Sequence, residues 1–274
     1  MILSLCNEML ADEGRPLSEQ ARIAAALGYE GLEIAPATLG PEPHRLAAAA
    51  IREARRQVEG EGLRVTGLHW LLAPYPDLSI TDPAMRDRTQ DVLRALVDLC
   101  AELGGDVLVH GSPAQRRPVR GESPEATRTR LADFFRPVAE RAAERGVTYC
   151  LEPLSRAETP VVNTVAEARA VVEAVGSHAF QTMIDTSAAG QTEPPVAALI
   201  RSEVPKGGIA HIQLNETTRG APGTGDDPWG EIVLALKAVG WDRTLAVEPF
   251  RAVLDATTTA AIGAATIRAL WRAL

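Results

Sequence analysis

One pattern recurs along the chain and limits what it can fold into: a glycine, a short apolar run, then a titratable side chain. From Gly146 the run VTYCL ends on Glu152, and Pro153 turns the chain away. Gly28 leads in the same way to Glu33, Gly62 to His69 and Gly105 to His110. Gly176 leads to Asp185, Gly208 to His211 and Gly240 to Glu248. Glycine ends helices because it alone enters the left-handed region without steric cost. Short runs that are apolar on both faces suit strands buried on both sides of a parallel sheet. Each unit therefore reads as the end of one helix followed by one strand.

Seven such units, preceded by the apolar segment Ile2–Cys6, predict eight strands alternating with helices. That is the α/β class, in the form of a single-domain (β/α)8 TIM barrel over residues 1–274. No Gly/Ser-rich linker, charge block or low-complexity tract divides the chain. The helix signals lie between the strands. His44 to Gly60 reads as one long helix with Ala47–Ala50 against the sheet. Asp82–Pro83 and Ser123–Pro124 pair an N-cap with a proline at the first helical position. Thr164 and Glu167 form a capping box. Pro137 is expected to kink the helix after Ser123 or split it in two. The long helix-poor stretches, 70–81, 110–122 and 213–227, all follow strands, where barrel enzymes build their sites.

Composition excludes some roles. A formal charge of -8 gives no basic track for a polyanion, so no nucleic-acid partner is expected. Nothing approaches a membrane span, and MILSLC has neither a basic start nor a long apolar stretch. Cys6, Cys100 and Cys150 are odd in number and lack metal-ligand spacing, which suits a reduced, cytoplasmic chain.

The last residue of each strand in such a barrel is expected to point into its mouth, bringing Glu33, His69, His110, Glu152, Asp185, His211 and Glu248 together. Buried carboxylates raise one another's pKa and resist desolvation, and a divalent cation is the usual remedy. Glu152, Asp185, His211 and Glu248, on four adjacent strands, make the best ligand set for one ion. Three carboxylates and an imidazole favour Mn, Mg or Co, with Zn also accommodated. A single strand-end histidine is more often a hydrogen-bonded core residue than a ligand, and the four residues taken together carry the argument. His69 and His110 read as substrate contacts or supports of the site. Glu33 is either a carboxylate supporting the ligands from behind or one paired with an arginine. Trp70 could wall a sugar face or simply pack its loop, Cys6 could line the pocket floor or be an inert thiol, and 220–227 reads as a site-forming loop.

The segments LEP at Glu152, MIDTS at Asp185, HIQLNETTRGAPGTG from His211 and VEPF at Glu248 resemble those of the xylose isomerase-like TIM barrels. More narrowly they resemble the sugar (phosphate) isomerase/epimerase group, which includes ketose 3-epimerases, hydroxypyruvate isomerases and inosose-processing enzymes. The resemblance spans essentially the whole chain and is strongest in its second half. It implies that Glu152, Asp185, His211 and Glu248 bind the metal, that Glu152 and Glu248 are also the acid/base pair, and that Glu158 and Arg219 contact a sugar-like substrate. It also implies a homodimer or homotetramer. One departure stands out: ketose epimerases of this group carry a histidine three residues after the aspartate, where this chain has Ala188.

The expected chemistry is proton transfer next to a carbonyl through an enediolate, giving epimerisation or isomerisation. The alternative is a metal-dependent dehydratase or lyase using the same enediolate on a keto-sugar or keto-inositol. A zinc apurinic-site endonuclease is the rival of a different class. Ala188 and the DDPWGE segment lack the further ligands that its metal cluster needs.

Overall fold

The computed structural model describes residues 1–274. Eight strands pair side by side in chain order, all parallel, and β8 returns to β1 to close the barrel. The strands are β1 (Leu3–Cys6), β2 (Gly31–Ile34), β3 (Arg64–Leu68), β4 (Val107–His110), β5 (Thr148–Leu151), β6 (Phe180–Asp185), β7 (Ile209–Leu214) and β8 (Leu245–Val247). The outer layer holds α1 (Glu8–Asp12), α2 (Leu17–Ala26), α3 (Ala48–Glu59), α4 (Arg86–Leu103) and α5 (Pro124–Arg145). It continues with α6 (Val165–Val175), α7 (Thr186–Thr192), α8 (Val196–Glu203), α9 (Trp229–Ala238) and α10 (Ala256–Ala273). This is the predicted (β/α)8 TIM barrel.

Local signals account for the helix ends. Gly104, Gly146 and Gly176 stop α4, α5 and α6 in the left-handed conformation. Ser123 Oγ accepts from the Ala126 N–H at 3.2 Å to cap α5. Thr164 Oγ1 accepts from the Glu167 N–H at 3.1 Å, while the Glu167 carboxylate reaches back one residue further than a capping box requires, to the Asn163 N–H. Two expectations are corrected. The helix expected from His44 starts only at Ala48, after a 3-10 turn at Pro43–Arg45, and Ala47–Ala50 are exposed; Ile51 and Val58 make its buried face. Pro137 does not split α5, which is continuous from Pro124 to Arg145.

One apolar cluster of 64 buried residues fills the space between strands and helices, whereas a separate small cluster inside the barrel joins Val107, Val109, Cys150 and Met183, with Ala210 packed against it. The stabilising core is therefore the outer layer, and the interior is free to carry polar groups. Among the residues holding α4 to the barrel are Leu93, Leu96 and Leu103, each at most 1% exposed. Truncating one such leucine to alanine costs about 2–5 kcal/mol.

Two strands break the regular alternation. In β3 the pairing with β2 runs Leu32 with Val65, then Glu33 with Gly67, so Thr66 is an extra residue. In β7 the pairing with β6 runs Thr182 with Ile209, then Met183 with His211, so Ala210 is extra. Such a bulge reverses which face every later side chain takes. β4 pairs with β5 residue for residue and keeps its alternation.

Candidate active site

The strand ends deliver three of the seven predicted residues to one cavity, and Glu33, His69, His110 and His211 do not line it. Glu152, Asp185 and Glu248 line a single cavity of about 180 Å3 at the carboxyl ends of the strands, together with Glu158, Arg219, Asn215, Trp70 and Phe250. Glu152 reaches it across Gly111: a Cβ on Gly111 would stand 1.6 Å from Glu152 Oε2, so only glycine leaves that path open. The Arg116 side chain is fully buried behind Glu152. It donates to the backbone carbonyls of Glu152 at 2.6 Å and of His110 at 2.5 Å. Asp185 Oδ1 accepts from the Ala188 N–H at 2.7 Å and Oδ2 from Asn215 Nδ2 at 2.8 Å. Asn215 Nδ2 also donates to the Glu248 carbonyl at 3.1 Å, tying β6, β7 and the end of β8 together.

His211 lies inside the barrel because of the β7 bulge. Its Nε2 is 2.8 Å from Glu33 Oε2, which leaves Nδ1 as the nitrogen free for a ligand. Gln213 Nε2 donates to Glu33 Oε1 at 2.8 Å. Glu33 thus supports an imidazole from behind and pairs with no arginine. Burial alone would push its carboxyl up, but His211, His69 and Gln213 outweigh burial and hold it at about 2.

His69 also faces inward, through the β3 bulge. Its Nε2 is 2.7 Å from Glu8 Oε2 and 3.9 Å from Glu248 Oε1, and its Nδ1 is 3.8 Å from Glu33 Oε1. Burial lowers the His69 pKa, but Glu8 and then Glu33 reverse this and raise it. His110 is a correction. Its ring packs against Phe135 of α5 at 5.4 Å, and its Nδ1 is 2.7 Å from Tyr149 Oη, on the helix side of β4. Val107 and Val109 take the interior positions of that regular strand, so His110 must face outward and contacts no substrate in the mouth. Burial, with Arg116 nearby, pushes its pKa well below the usual imidazole range and keeps it neutral.

At the rim, Arg219 Nη1 bonds Glu158 Oε1 at 2.9 Å, and the guanidinium lies 4.2 Å above the Phe250 ring. Trp70 meets Phe250 edge to face at 6.2 Å and is 38% exposed, so it walls the cavity rather than filling a core. Trp70 and Arg219 both have positive φ, +49° and +70°, an uncommon backbone for side chains of that size. The 220–227 loop does not line the cavity. It folds over the buried Glu216 carboxylate, which accepts from Gly223 N, Asp227 N and Trp229 Nε1. Trp229 is accordingly part of the core.

The electrostatics fit a cation. Burial, then Asp185, pushes Glu152 well above the ordinary carboxylate range. Burial, then Glu8, Asp185 and Glu152, does the same to Glu248. Burial pushes Asp185 up to about 6 against the bonds from Ala188 and Asn215. Three mutually repelling carboxyls on one cavity carry charge that a divalent ion would offset, but His211 does not line that cavity and the four side chains are not drawn in to within 4.8 Å of one another, so an ion would have to gather them.

Sequence reasoning missed Glu8, Asn215, Arg116 and Glu216. Glu8 had a signal: it is the titratable residue following the first apolar strand, as in the other seven units. The other three act through long-range hydrogen bonds and had none.

A closed parallel barrel with acids gathered at the carboxyl ends of its strands has the layout of a TIM-barrel enzyme. Residues 21–270 match the xylose isomerase-like TIM barrel family, and the chain belongs to it. It is an enzyme of the isomerase/epimerase type. It is 30% identical to D-psicose 3-epimerase of Ruminiclostridium cellulolyticum over 82% of this chain and 75% of that one. It is 26% identical to a putative hydroxypyruvate isomerase of Streptomyces coelicolor over 85% of each. The crystal structure of D-psicose 3-epimerase with D-tagatose from Clostridium cellulolyticum shares the fold, with a TM-score of 0.82 at 22% identity over 99% of both chains. No helix is long and apolar enough to cross a membrane.

Proposed function

We propose that the protein is a divalent-metal-dependent epimerase or isomerase of small ketoses or related keto-polyols. The observation that carries this reading is the opening of Glu152, Asp185 and Glu248 onto one cavity, with Glu158 and Arg219 paired at its rim. Relatives named for ketose 3-epimerisation support the substrate class. Glu152, Asp185, His211 and Glu248 would hold the ion. When bound, it supplies positive charge beside the substrate's carbonyl oxygen and lowers the barrier to an enediolate. Mn, Mg or Co suits the oxygen-rich set.

The rest is done by the chain. One of Glu152 and Glu248 takes the proton from the carbon next to the carbonyl, and the other returns a proton to the opposite face or to the neighbouring carbon. Arg219 and Glu158 offer a hydrogen-bond donor and an acceptor to substrate hydroxyls. Trp70 and Phe250 cover an apolar sugar face and exclude water. The same enediolate could instead expel a neighbouring hydroxyl, which is the dehydratase reading. The zinc endonuclease reading weakens further, since His110 is turned away from the mouth.

The test is proton exchange. Mn-loaded protein incubated with a panel of pentuloses and hexuloses in D2O is expected to exchange the proton at carbon 3 of at least one sugar, followed by proton NMR. Glu152→Gln should slow that exchange by roughly 10²–10⁴-fold with the metal retained. Full exchange by this variant, or none by metal-bound wild type with any sugar, overturns the reading.

A further inference from the structure

A second group of ligands lies across the barrel mouth from Asp185. The Cys6 thiol and the Glu8 and His69 side chains each offer a ligand atom within 4.8 Å of the others, and all three residues are buried. Glu8 Oε2 and His69 Nε2 bond each other at 2.7 Å, but hydrogen bonding leaves other atoms of the group unpaired. Glu8, its side chain only 7% exposed, leaves Oε1 without a partner, and fully buried His69 leaves Nδ1 without one. Cys6 Sγ makes only long contacts, 3.7 Å to Glu33 Oε1 and 3.9 Å to Gln213 Nε2. The region is also short of positive charge: the ion-pair partners of Glu8, Glu33 and Glu248 are the imidazoles of His69 and His211. Buried carboxylates that share two imidazoles are poorly neutralised, and a cation among them would correct this.

We infer that Cys6, Glu8 and His69 form a second divalent-cation site, distinct from the Glu152–Asp185–His211–Glu248 set and selective for softer ions. A thiolate, a carboxylate and an imidazole suit zinc or cobalt, whereas the oxygen-rich set suits manganese or magnesium. Three protein ligands leave a coordination position open, as in sites that take water or substrate. Binding forms a metal–sulfur bond and displaces the thiol proton to solvent, so affinity rises with pH. Burial, then Glu33 and Glu248, keeps the empty thiol protonated. Glu248, 3.9 Å from His69 Nε2, stands between the two sets, so an ion here would lie beside one of the proposed acid/base groups. The inference does not rest on the ketose reading.

The test is cobalt loading of the metal-stripped full-length protein, with cobalt counted per chain and the near-ultraviolet spectrum recorded. The expected result is two cobalt ions per chain and a thiolate-to-cobalt charge-transfer band, against one manganese ion per chain with Mn alone. Cys6→Ala should abolish the band and leave one cobalt, and Cys6→Ser serves if the alanine variant fails to fold. Glu152→Ala should leave the band and remove the other ion. One cobalt with no band, or a band that survives both Cys6 substitutions, overturns the second site and leaves the first. One cobalt with the band, lost in Cys6→Ala, upholds the second site and overturns the first. No cobalt under any loading overturns both.

Discussion

β4 ends on His110 and β7 carries His211 as its third residue; the two read alike in sequence, yet the fold puts the two imidazoles on opposite sides of the barrel wall. β4 is regular: Val107 and Val109 face inward, so His110 faces α5 and bonds Tyr149. β7 carries an extra residue at Ala210, and His211 turns inward to Glu33. β3 repeats the β7 case, its extra Thr66 turning His69 toward Glu8. A strand-end histidine is therefore a site candidate only once its face is known. One inserted residue in the pairing is enough to move it from the helix layer to the cavity.

The comparison breaks most sharply at His211. His211→Ala should weaken Mn binding by at least about 100-fold, measured by calorimetry, and abolish turnover with it. Unchanged Mn affinity would mean that the inward imidazole is only a support for Glu33. Gly111→Ala comes next. The added methyl occupies the space of the Glu152 carboxylate, and displacing that group by about 1 Å is expected to cost about 100-fold in kcat, with far-ultraviolet circular dichroism unchanged. Wild-type kcat in this variant would show that Glu152 works from another position.

Smaller effects concern charge. In metal-free protein, Asp185 titrates at about 6 when folded, above its value in an unfolded chain. The folded state then binds more protons between about pH 4 and pH 6, so this group's contribution is fully present below about pH 4 and is lost as pH rises through 6. Removing the group in Asp185→Asn should raise metal-free stability at pH 7 by an amount on the order of 1–3 kcal/mol and make no difference below pH 4, measured by urea unfolding. An equal effect at both pH values would contradict the assignment. The smallest effect on chemistry belongs to the outward histidine. His110→Phe strands Tyr149 Oη and should cost about 1–2 kcal/mol at pH 7 with kcat unchanged. Since His110 is neutral when folded and takes a proton when unfolded below about pH 6.5, the substitution should also reduce acid sensitivity. A large fall in kcat with KM unchanged would return His110 to the site.

Much was legible in the sequence because it depends on local chemistry. Glycines that stop helices, apolar runs that can only be buried strands, and a titratable residue at the end of each run specified eight units and therefore a barrel. They also specified Glu152, Asp185 and Glu248, whose strands carry no extra residue near their ends. The sequence did not reveal the extra residues Thr66 and Ala210, because a bulge is a property of two strands in register and no single run encodes it. Nor did it reveal Asn215 bridging Asp185 to β8, Arg116 buried behind Glu152, or Glu8 meeting His69 across 61 residues of chain. Those are through-space relations. Local periodicity decides that a strand forms, but only closure of the barrel decides which of its side chains share a cavity.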